Sequence, residues 1–232
     1  YFEAELTGAL APDATYRHPL YGRPDDLVTV DLGQFAEDLK GRSLVGQVRN
    51  GRVKPYPERG QIDAGLLAEK GLELAWLADP VDAFLLQVQG SGRVLLPDGG
   101  VVRVGFAAHN GRPYKSIGRA LIDRCELKPH EASWDGIRDW IVAHPDKAAD
   151  LFAVNPRYVF FRVLEGEGPI GSQGVALTPE RSLAVDRRFV PLGLPVWLDT
   201  VQPGGSTEPL RTLLIAQDTG GAIKGPVRGD FF

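Results

Sequence analysis

The sequence predicts a mainly β protein with a few short helices, and two observations carry this prediction. Glycine and proline are dense throughout the 232 residues, with 28 and 18 copies, as in folds whose turns join many short strands. Apolar and polar residues alternate in several stretches, whereas helical spacing of apolar residues is confined to a few segments. Together these features are typical of a β-barrel or a β-sandwich.

The first half of the chain supplies most of the predicted strands. The segments "LVTVDLGQF" and "LVGQVRNGRVKPYP" predict strands, and the second contains a hairpin-turn signal at Asn50–Gly51. A longer stretch, "DAFLLQVQGSGRVLLPDGGVVRVGFAAHNG", predicts a strand, a glycine turn, a second strand, an Asp-Gly turn and a third strand.

Helical spacing marks three segments. Apolar residues recur with a helical period in "RGQIDAGLLAEKGLELAWL" and in "KSIGRALIDRCE". The segment "SWDGIRDWIVAHPDKAADLFAVNP" predicts two short helices that are separated at His144–Pro145, and Asn155–Pro156 ends the second.

The character of the sequence changes near residue 163, where we place a domain boundary. Beyond it, "GVALTPERSLAVDRRFVPLGLPVWLDT" is strand-like with Pro-Leu-Gly turns, and "PLRTLLIAQDTGG" predicts a strong buried strand.

Composition excludes several classes of protein. A net charge of −4 argues against a nucleic-acid-binding protein, which needs a basic face, and no apolar run is long enough to cross a bilayer. The single Cys125 excludes an intramolecular disulfide. Because Tyr1 is not an initiator methionine, we expect the chain to be a fragment of a longer product.

Two carboxylates near the end of the chain are the first candidate catalytic residues. Asp218 ends the predicted buried strand, and Asp230 follows twelve residues later, with Lys224 between them. Gly220 and Gly221 permit a sharp turn or the close approach of a ligand. A carboxylate at a strand end either serves as a general acid or simply binds turn amides, and spacing alone leaves both readings open.

Other types of site fit the sequence poorly. An aspartic protease needs two equivalent Asp-Thr/Ser-Gly loops, and this chain has one. The segment "GGAIKGP" lacks the spacing of a phosphate-binding loop, and no Gly-x-Ser-x-Gly elbow occurs. We expect no metal site, because the four histidines are scattered without ligand spacing: His18, His109, His130 and His144.

Several motifs in a fixed order carry a resemblance to a known family. The segments "AQDTGGAIKGPVRGD" and "GVALTPERSLAVDRRFVPLGLPVWLD" resemble the three-aspartate (3D) domain of the membrane-bound lytic murein transglycosylase A family. Upstream, "FLLQVQGSGRVLLPDG", "NGRPYKSIGRALI", "NPRYVFFR" and the opening "YFEAEL" resemble the rest of that family. The resemblance therefore covers the whole chain.

The resemblance implies two domains with a groove between them. Residues 1–7 and 163–232 would form a double-psi β-barrel whose N-terminal part is missing, and residues 8–162 would form an inserted, mostly β domain. The implied reaction is cleavage of the β-1,4 bond between N-acetylmuramic acid and N-acetylglucosamine in peptidoglycan, with formation of a 1,6-anhydro ring. A non-catalytic glycan-binding module is the alternative.

The resemblance also implies roles for individual residues. Asp230 matches the catalytic acid of the family, and Asp218 and Lys224 would bind substrate beside it. Asp186, Gly220 and Gly221 would support the site. Sugar contacts from the inserted domain would come from Gln89, Gly90, Ser91 and Gly92. Tyr114 and Ser116 are weaker candidates, because "RPYKSIG" equally predicts the start and cap of a helix.

The partners and location follow from the same resemblance. The expected partner is the glycan strand of peptidoglycan, with no cofactor and no metal required. Family members are commonly periplasmic and tethered to the outer membrane of a Gram-negative bacterium by an N-terminal lipid, which would lie outside this sequence. We expect a monomer.

Overall fold

The structure is a computed structural model, which describes residues 4–166, 168–202, 207–220 and 223–232. The chain divides into two compact units, Tyr1–Ala4 with Leu164–Phe232 and Glu5–Val163. The first predicted boundary, after residue 7, lies three residues beyond the end of Ala4 in these units. The second predicted boundary, at residue 163, lies one residue before Leu164. Their assignment as a barrel and an insert stays a prediction.

Within the described residues, thirteen strands form three sheets. The strands are β1 Ala4–Ala9, β2 His18–Tyr21, β3 Leu27–Asp31, β4 Ser43–Arg49, β5 Arg52–Pro55, β6 Glu73–Leu77, β7 Ser91–Leu95, β8 Val101–His109, β9 Val159–Val163, β10 Ser182–Val185, β11 Pro195–Val201, β12 Pro209–Asp218 and β13 Gly229–Phe231. The prediction of a mainly β protein is confirmed.

The helices are short and lie in the larger unit. They are α1 Arg59–Gln61, α2 Pro80–Gln89, α3 Ile117–Asp123, α4 Trp134–Ala143 and α5 Ala148–Ala153, with a π-helical turn at Ile62–Leu66 and 3₁₀ turns at Leu32–Gln34, Glu37–Leu39 and Pro145–Lys147. The predicted helices around α3, α4 and α5 are confirmed, including the break at His144–Pro145.

The larger unit contains two sheets and a helical layer. Strands β2-β6-β1-β7-β8-β9 form one sheet in that order, and β3-β4-β5 form the other. The predicted hairpin turn joins β4 to β5, where Asn50 (φ 52°) and Gly51 (φ 71°) adopt the left-handed conformation of a type I′ turn. The helices bury one apolar cluster: Val81, Phe84, Ile117, Leu121, Ile137, Trp140, Ile141, Leu151 and Phe152.

Two predicted elements in this unit were wrong. Residues 82–89, predicted as a strand, belong to helix α2. The Asp79 carboxylate accepts a hydrogen bond from the Val81 backbone N–H at 2.7 Å, Pro80 occupies the first turn, and Gly90 ends the helix in the left-handed conformation. Apolar runs of this length fit a strand or a buried helix, and the caps decide for the helix.

The predicted helix over 59–77 was too long. Helical structure ends at Leu66, and β6 occupies Glu73–Leu77. β6 pairs with β1 on one side and β2 on the other, which places it inside the six-stranded sheet. Pairing on both edges satisfies its backbone hydrogen bonds and overrides the local helical spacing.

The smaller unit contains a mixed four-stranded sheet in the order β11-β12-β10-β13. β10 runs parallel to β12 and antiparallel to β13. The sheet buries a small core of Leu183, Val185, Leu214 and Ala216. The double-psi topology stays a prediction.

Candidate active site

Strand β10 brings two of the predicted aspartates to the same level of the sheet. Asp218, at the end of β12, is in register with Ala184. Asp230, in β13, is in register with the same residue from the opposite side. A register shift between Leu183 and Ala184 produces this alignment, because β12 contributes the extra residue Gln217 at that point.

The carboxylate of Asp218 is held by the loop before β10. Its Oδ1 accepts hydrogen bonds from the Ser172 backbone N–H at 2.9 Å and from Ser172 Oγ at 2.8 Å. Ser172 Oγ also lies 2.7 Å from Thr219 Oγ1. A Cβ on Gly171 would lie 2.5 Å from the Gln217 carbonyl oxygen, so only glycine lets this loop pass so close to β12.

The carboxylate of Asp230 has a different partner. Arg228 Nε donates to Asp230 Oδ1 at 2.8 Å, and both side chains are about half exposed, at 54% and 44%. Among the described residues no hydrogen bond joins Asp218 to Asp230. The two carboxylates therefore lack the shared proton of an aspartic-protease dyad.

Asp186 follows β10 directly and is the most buried of the three aspartates, with a side chain only 6% exposed. It accepts hydrogen bonds from the Arg188 guanidinium, from the Arg188 backbone N–H and from the Gly225 backbone N–H at 2.9 Å. The Arg188 side chain, followed by the Gly225 amide, holds the pKa of Asp186 well below its ordinary range. Asp186 is therefore ionised at working pH, which suits an anchor for the turn before Asp230.

The remaining predicted residues of this unit are distributed along the connection from β12 to β13. Lys224 is exposed. Gly220 lies close to Ile223, whose Cδ1 would be 2.8 Å from a Cβ at that position. Gly221 lies outside the described residues, so its predicted supporting role has no structural account.

The predicted sugar-binding segment, Gln89–Gly92, lies in the larger unit. Gln89 is the last residue of α2 and is exposed, not part of a strand as the sequence suggested. Gly90 (φ 87°) reverses the chain, and Ser91 and Gly92 begin β7. The segment is thus a helix-to-strand junction whose backbone is opened by glycine.

Tyr114 and Ser116 precede helix α3. Ser116 Oγ accepts a hydrogen bond from the Arg119 backbone N–H at 3.2 Å, which makes Ser116 the helix cap. Tyr114 is about half exposed. The prediction that Ser116 caps the helix is confirmed, and a binding role for Tyr114 or Ser116 stays a prediction.

Ser172 is the residue that sequence reasoning missed. It lies 46 positions before Asp218, in a segment without a recognisable motif, so only the fold brings the two together. Arg228 carried a weak signal, since a cation two residues before Asp230 can lie on the same side of an extended chain.

No group of three or more His, Cys, Asp or Glu residues in the described ranges is arranged to hold a metal ion. No helix in that part of the chain has the length and apolar character needed to cross a membrane.

Comparison with known proteins places this chain in a family. Residues 1–162 match the MltA specific insert domain, and residues 181–232 match the 3D domain. The membrane-bound lytic murein transglycosylase A of Vibrio cholerae is 31% identical over 231 residues, covering 97% of this chain and 55% of that protein. Its Escherichia coli counterpart is 37% identical over 177 residues, covering 73% and 48%.

Solved structures agree. The crystal structure of MltA from Neisseria gonorrhoeae superposes with a TM-score of 0.88 at 36% identity, covering 100% of this chain and 65% of that one. E. coli MltA with bound chitohexaose gives a TM-score of 0.73 at 28% identity, covering 97% and 61%. The chain spans about half the length of the sequence relatives it matches. It belongs to the MltA family.

Proposed function

We propose that the protein is a peptidoglycan lytic transglycosylase in which Asp230 is the single catalytic carboxyl group. It would cleave the β-1,4 bond between N-acetylmuramic acid and N-acetylglucosamine and leave a 1,6-anhydromuramic end. Family membership, the names of the relatives and the glycan bound to the E. coli structure support this substrate class.

One carboxyl group suffices because the substrate carries its own nucleophile. Asp230 first gives its proton to the glycosidic oxygen, and the bond from that oxygen to the anomeric carbon breaks. The 6-hydroxyl of the muramic acid then attacks the anomeric carbon and returns its proton to Asp230. No water is consumed, and the attacking group is held at high effective concentration. Glycosidases that use water need two carboxyl groups for the same step.

The observation that carries the proposal is the separate anchoring of the two carboxylates flanking Ala184. The Asp218 carboxylate accepts a hydrogen bond from Ser172 Oγ. Asp230 is half exposed on the edge strand β13, and its carboxylate pairs with Arg228. The first step requires a protonated Asp230, so the ion pair with Arg228 has to open before it. Asp218 would then orient the sugar, and Lys224 would bind it.

The segment Gln89–Gly92 would contribute sugar contacts through its exposed amide side chain and its glycine backbone. Asp186 would support the site through Gly225. The predicted groove between two domains stays a prediction.

The location and assembly belong to the same proposal. The relatives from Vibrio cholerae and Escherichia coli are named as membrane-bound enzymes. We propose a periplasmic monomer tethered to the outer membrane by a lipid. Fractionation of cells that express the full-length protein, with and without globomycin to block lipoprotein processing, tests the tether.

The deciding experiment is mass spectrometry of muropeptides released from purified peptidoglycan. Wild type, Asp230→Asn and Asp199→Asn are compared, the last being an exposed aspartate of the same sheet that pairs with Arg211. We expect 1,6-anhydromuramic ends from wild type and Asp199→Asn, and none from Asp230→Asn.

The other outcomes contradict the proposal in different ways. Reducing ends would indicate a hydrolase that uses a second carboxylate, with Asp218 as the first candidate. Glycan binding by a folded wild-type protein without release of any product would indicate a non-catalytic glycan-binding module.

A further inference from the structure

The larger unit contains a cavity of about 710 Å³, and none of the residues assigned to the proposed reaction lines it. Its walls come from β2, α1, α2 and α4, together with the segment around Pro145 and α5. None of the predicted glycan-binding residues Gln89–Gly92 lines it. Its volume lies within the range of small-molecule sites, roughly 300–1,000 Å³.

Arg59 forms part of the wall of this cavity and is almost completely buried, with 3% of its surface exposed. Its Nε and Nη2 donate to the carbonyl oxygens of Asn155 and Arg157 and to the side chain of Gln87. The guanidinium also stacks over Phe84, with 4.6 Å from Cζ to the ring centroid. Four neighbours therefore fix its position and orientation.

One nitrogen of this guanidinium remains open. Among the described residues Nη1 makes no hydrogen bond, and its nearest counter-charge is Asp63 Oδ2 at 3.7 Å, beyond hydrogen-bond range. No fully enclosed side-chain nitrogen or oxygen in the described part of the chain lacks a hydrogen-bond partner. Nη1 is therefore not fully enclosed, and Arg59 is one of the residues that line the cavity.

Asp63 supplies the opposite charge at the same place. Its side chain is 43% exposed, lines the cavity and accepts no hydrogen bond within the described ranges. Burial is the main cause that raises the pKa of this carboxyl, with Arg59 opposing it. A cation bound at this carboxylate would favour its charged form.

The spacing of the two charges restricts the ligand. The ammonium nitrogen and the carboxylate oxygens of one α-amino acid are about 3 Å apart, because a single Cα joins them. Arg59 Nη1 and Asp63 Oδ2, at 3.7 Å, match such a pair charge for charge. A simple carboxylate bound to Nη1 would meet the like charge of Asp63, and a simple amine bound to Asp63 would meet the like charge of Arg59.

The rest of the cavity suits a larger molecule with an apolar body. Pro19, Val142 and Pro145 contribute apolar surface, and Arg17 and His18 contribute further polar groups. Arg138, also in the wall, is already engaged by Asp79 and Asp82. A single amino acid would fill only part of the space, whereas a short peptide would use both the charges and the apolar surface.

We propose that this cavity binds a short peptide through a free α-amino-acid zwitterion, its carboxylate on Arg59 Nη1 and its ammonium on Asp63. The side-chain end of a diamino acid provides such a zwitterion within a peptide. That this peptide is the stem peptide of peptidoglycan rests on the proposed function. The residues that bind the peptide stem would then differ from those that bind the glycan.

The test is isothermal titration calorimetry of the protein with L-alanyl-γ-D-glutamyl-meso-diaminopimelate. We expect saturable binding that falls at least tenfold in Asp63→Asn and is unchanged in Asp38→Asn, an exposed control aspartate. Acetylation of the free side-chain amine of the probe should abolish binding. Arg59→Lys, which keeps the charge and loses the open nitrogen, should also weaken binding, with circular dichroism verifying its fold.

Three outcomes would overturn the inference. They are the absence of saturable binding to wild type, equal affinity of Asp63→Asn and wild type, and equal affinity for the tripeptide and free diaminopimelate, which would deny the peptide. Because turnover is not measured, failure of the proposed function leaves this test intact. Asp230→Asn should still bind the tripeptide, and Asp63→Asn should still release anhydro products from stem-free glycan.

Discussion

Asp218 and Asp230 lie on the two strands that flank β10, and each is in register with Ala184. Two strand spacings separate their backbones by about 10 Å. Each carboxylate has its own partner, Ser172 for one and Arg228 for the other. The arrangement favours one acting carboxyl group and one orienting neighbour over a pair that shares a proton.

Ser172→Ala tests whether the anchoring of Asp218 matters for activity. The substitution removes the hydroxyl bond to Asp218 and leaves the backbone bond in place. One hydrogen bond contributes about 0.5–1.5 kcal/mol, so kcat/KM on peptidoglycan should fall roughly two- to tenfold with little change in stability. Ser172→Thr, which retains a hydroxyl, should restore activity. An inactive Asp218→Asn beside a fully active Ser172→Ala would contradict this role for the hydroxyl.

Asp186→Asn should destabilise the smaller unit in a pH-dependent way. The folded-state pKa is depressed, so the carboxylate stabilises the fold above its unfolded-state pKa of about 3.9. This contribution is lost as pH falls through the folded-state value. The stability gap between wild type and variant should therefore be full at pH 7 and should narrow below about pH 4.

Urea unfolding at pH 7 and at pH 3 measures this gap. Asp199→Asn is the control, because its ion pair with Arg211 is exposed and should contribute less than about 1 kcal/mol. A gap for Asp186→Asn that is equal at both pH values would show that the carboxylate charge is not the cause.

Gly90→Ala and Gly99→Ala form a matched pair. Both glycines have positive φ, 87° and 85°, and neither has a neighbour closer than 3.9 Å to a new Cβ. Each substitution should cost about 1–2 kcal/mol in thermal unfolding, from backbone strain alone. If Gln89–Gly92 binds glycan, only Gly90→Ala should weaken chitohexaose binding in calorimetry. Equal weakening by both variants would remove this segment from the binding surface.

Leu214→Ala and Leu213→Ala test which side chains of β12 point into the core of the smaller unit. Leu214 is fully buried in the core of the smaller unit, whereas Leu213 is half exposed and opposite Trp197. We expect Leu214→Ala to lose about 2–5 kcal/mol and Leu213→Ala about 0.5 kcal/mol in urea unfolding. A reversed order would mean that the register of β12 is displaced by one residue.

The helix α2 shows where sequence reasoning failed in this fold. The run "AFLLQVQ" is compatible with a buried strand, yet Asp79, Pro80 and Gly90 mark the two ends of a helix. The strand β6 shows the reverse error, since its apolar spacing continues that of the preceding helix. Only pairing with β1 and β2, which are distant in sequence, makes it a strand.

Sequence alone determined the mainly β class, the turn at Asn50–Gly51, the helices from α3 to α5 and the motifs of the family, because each depends on residues close together along the chain. The tertiary structure alone decided what depends on distant residues. It brought Ser172 to Asp218, set Asp218 and Asp230 on either side of Ala184, and buried Arg59 in the wall of a cavity. Strand register and the burial of a charge arise from packing between segments that are distant in sequence. The local spacing of apolar residues therefore does not predict either feature.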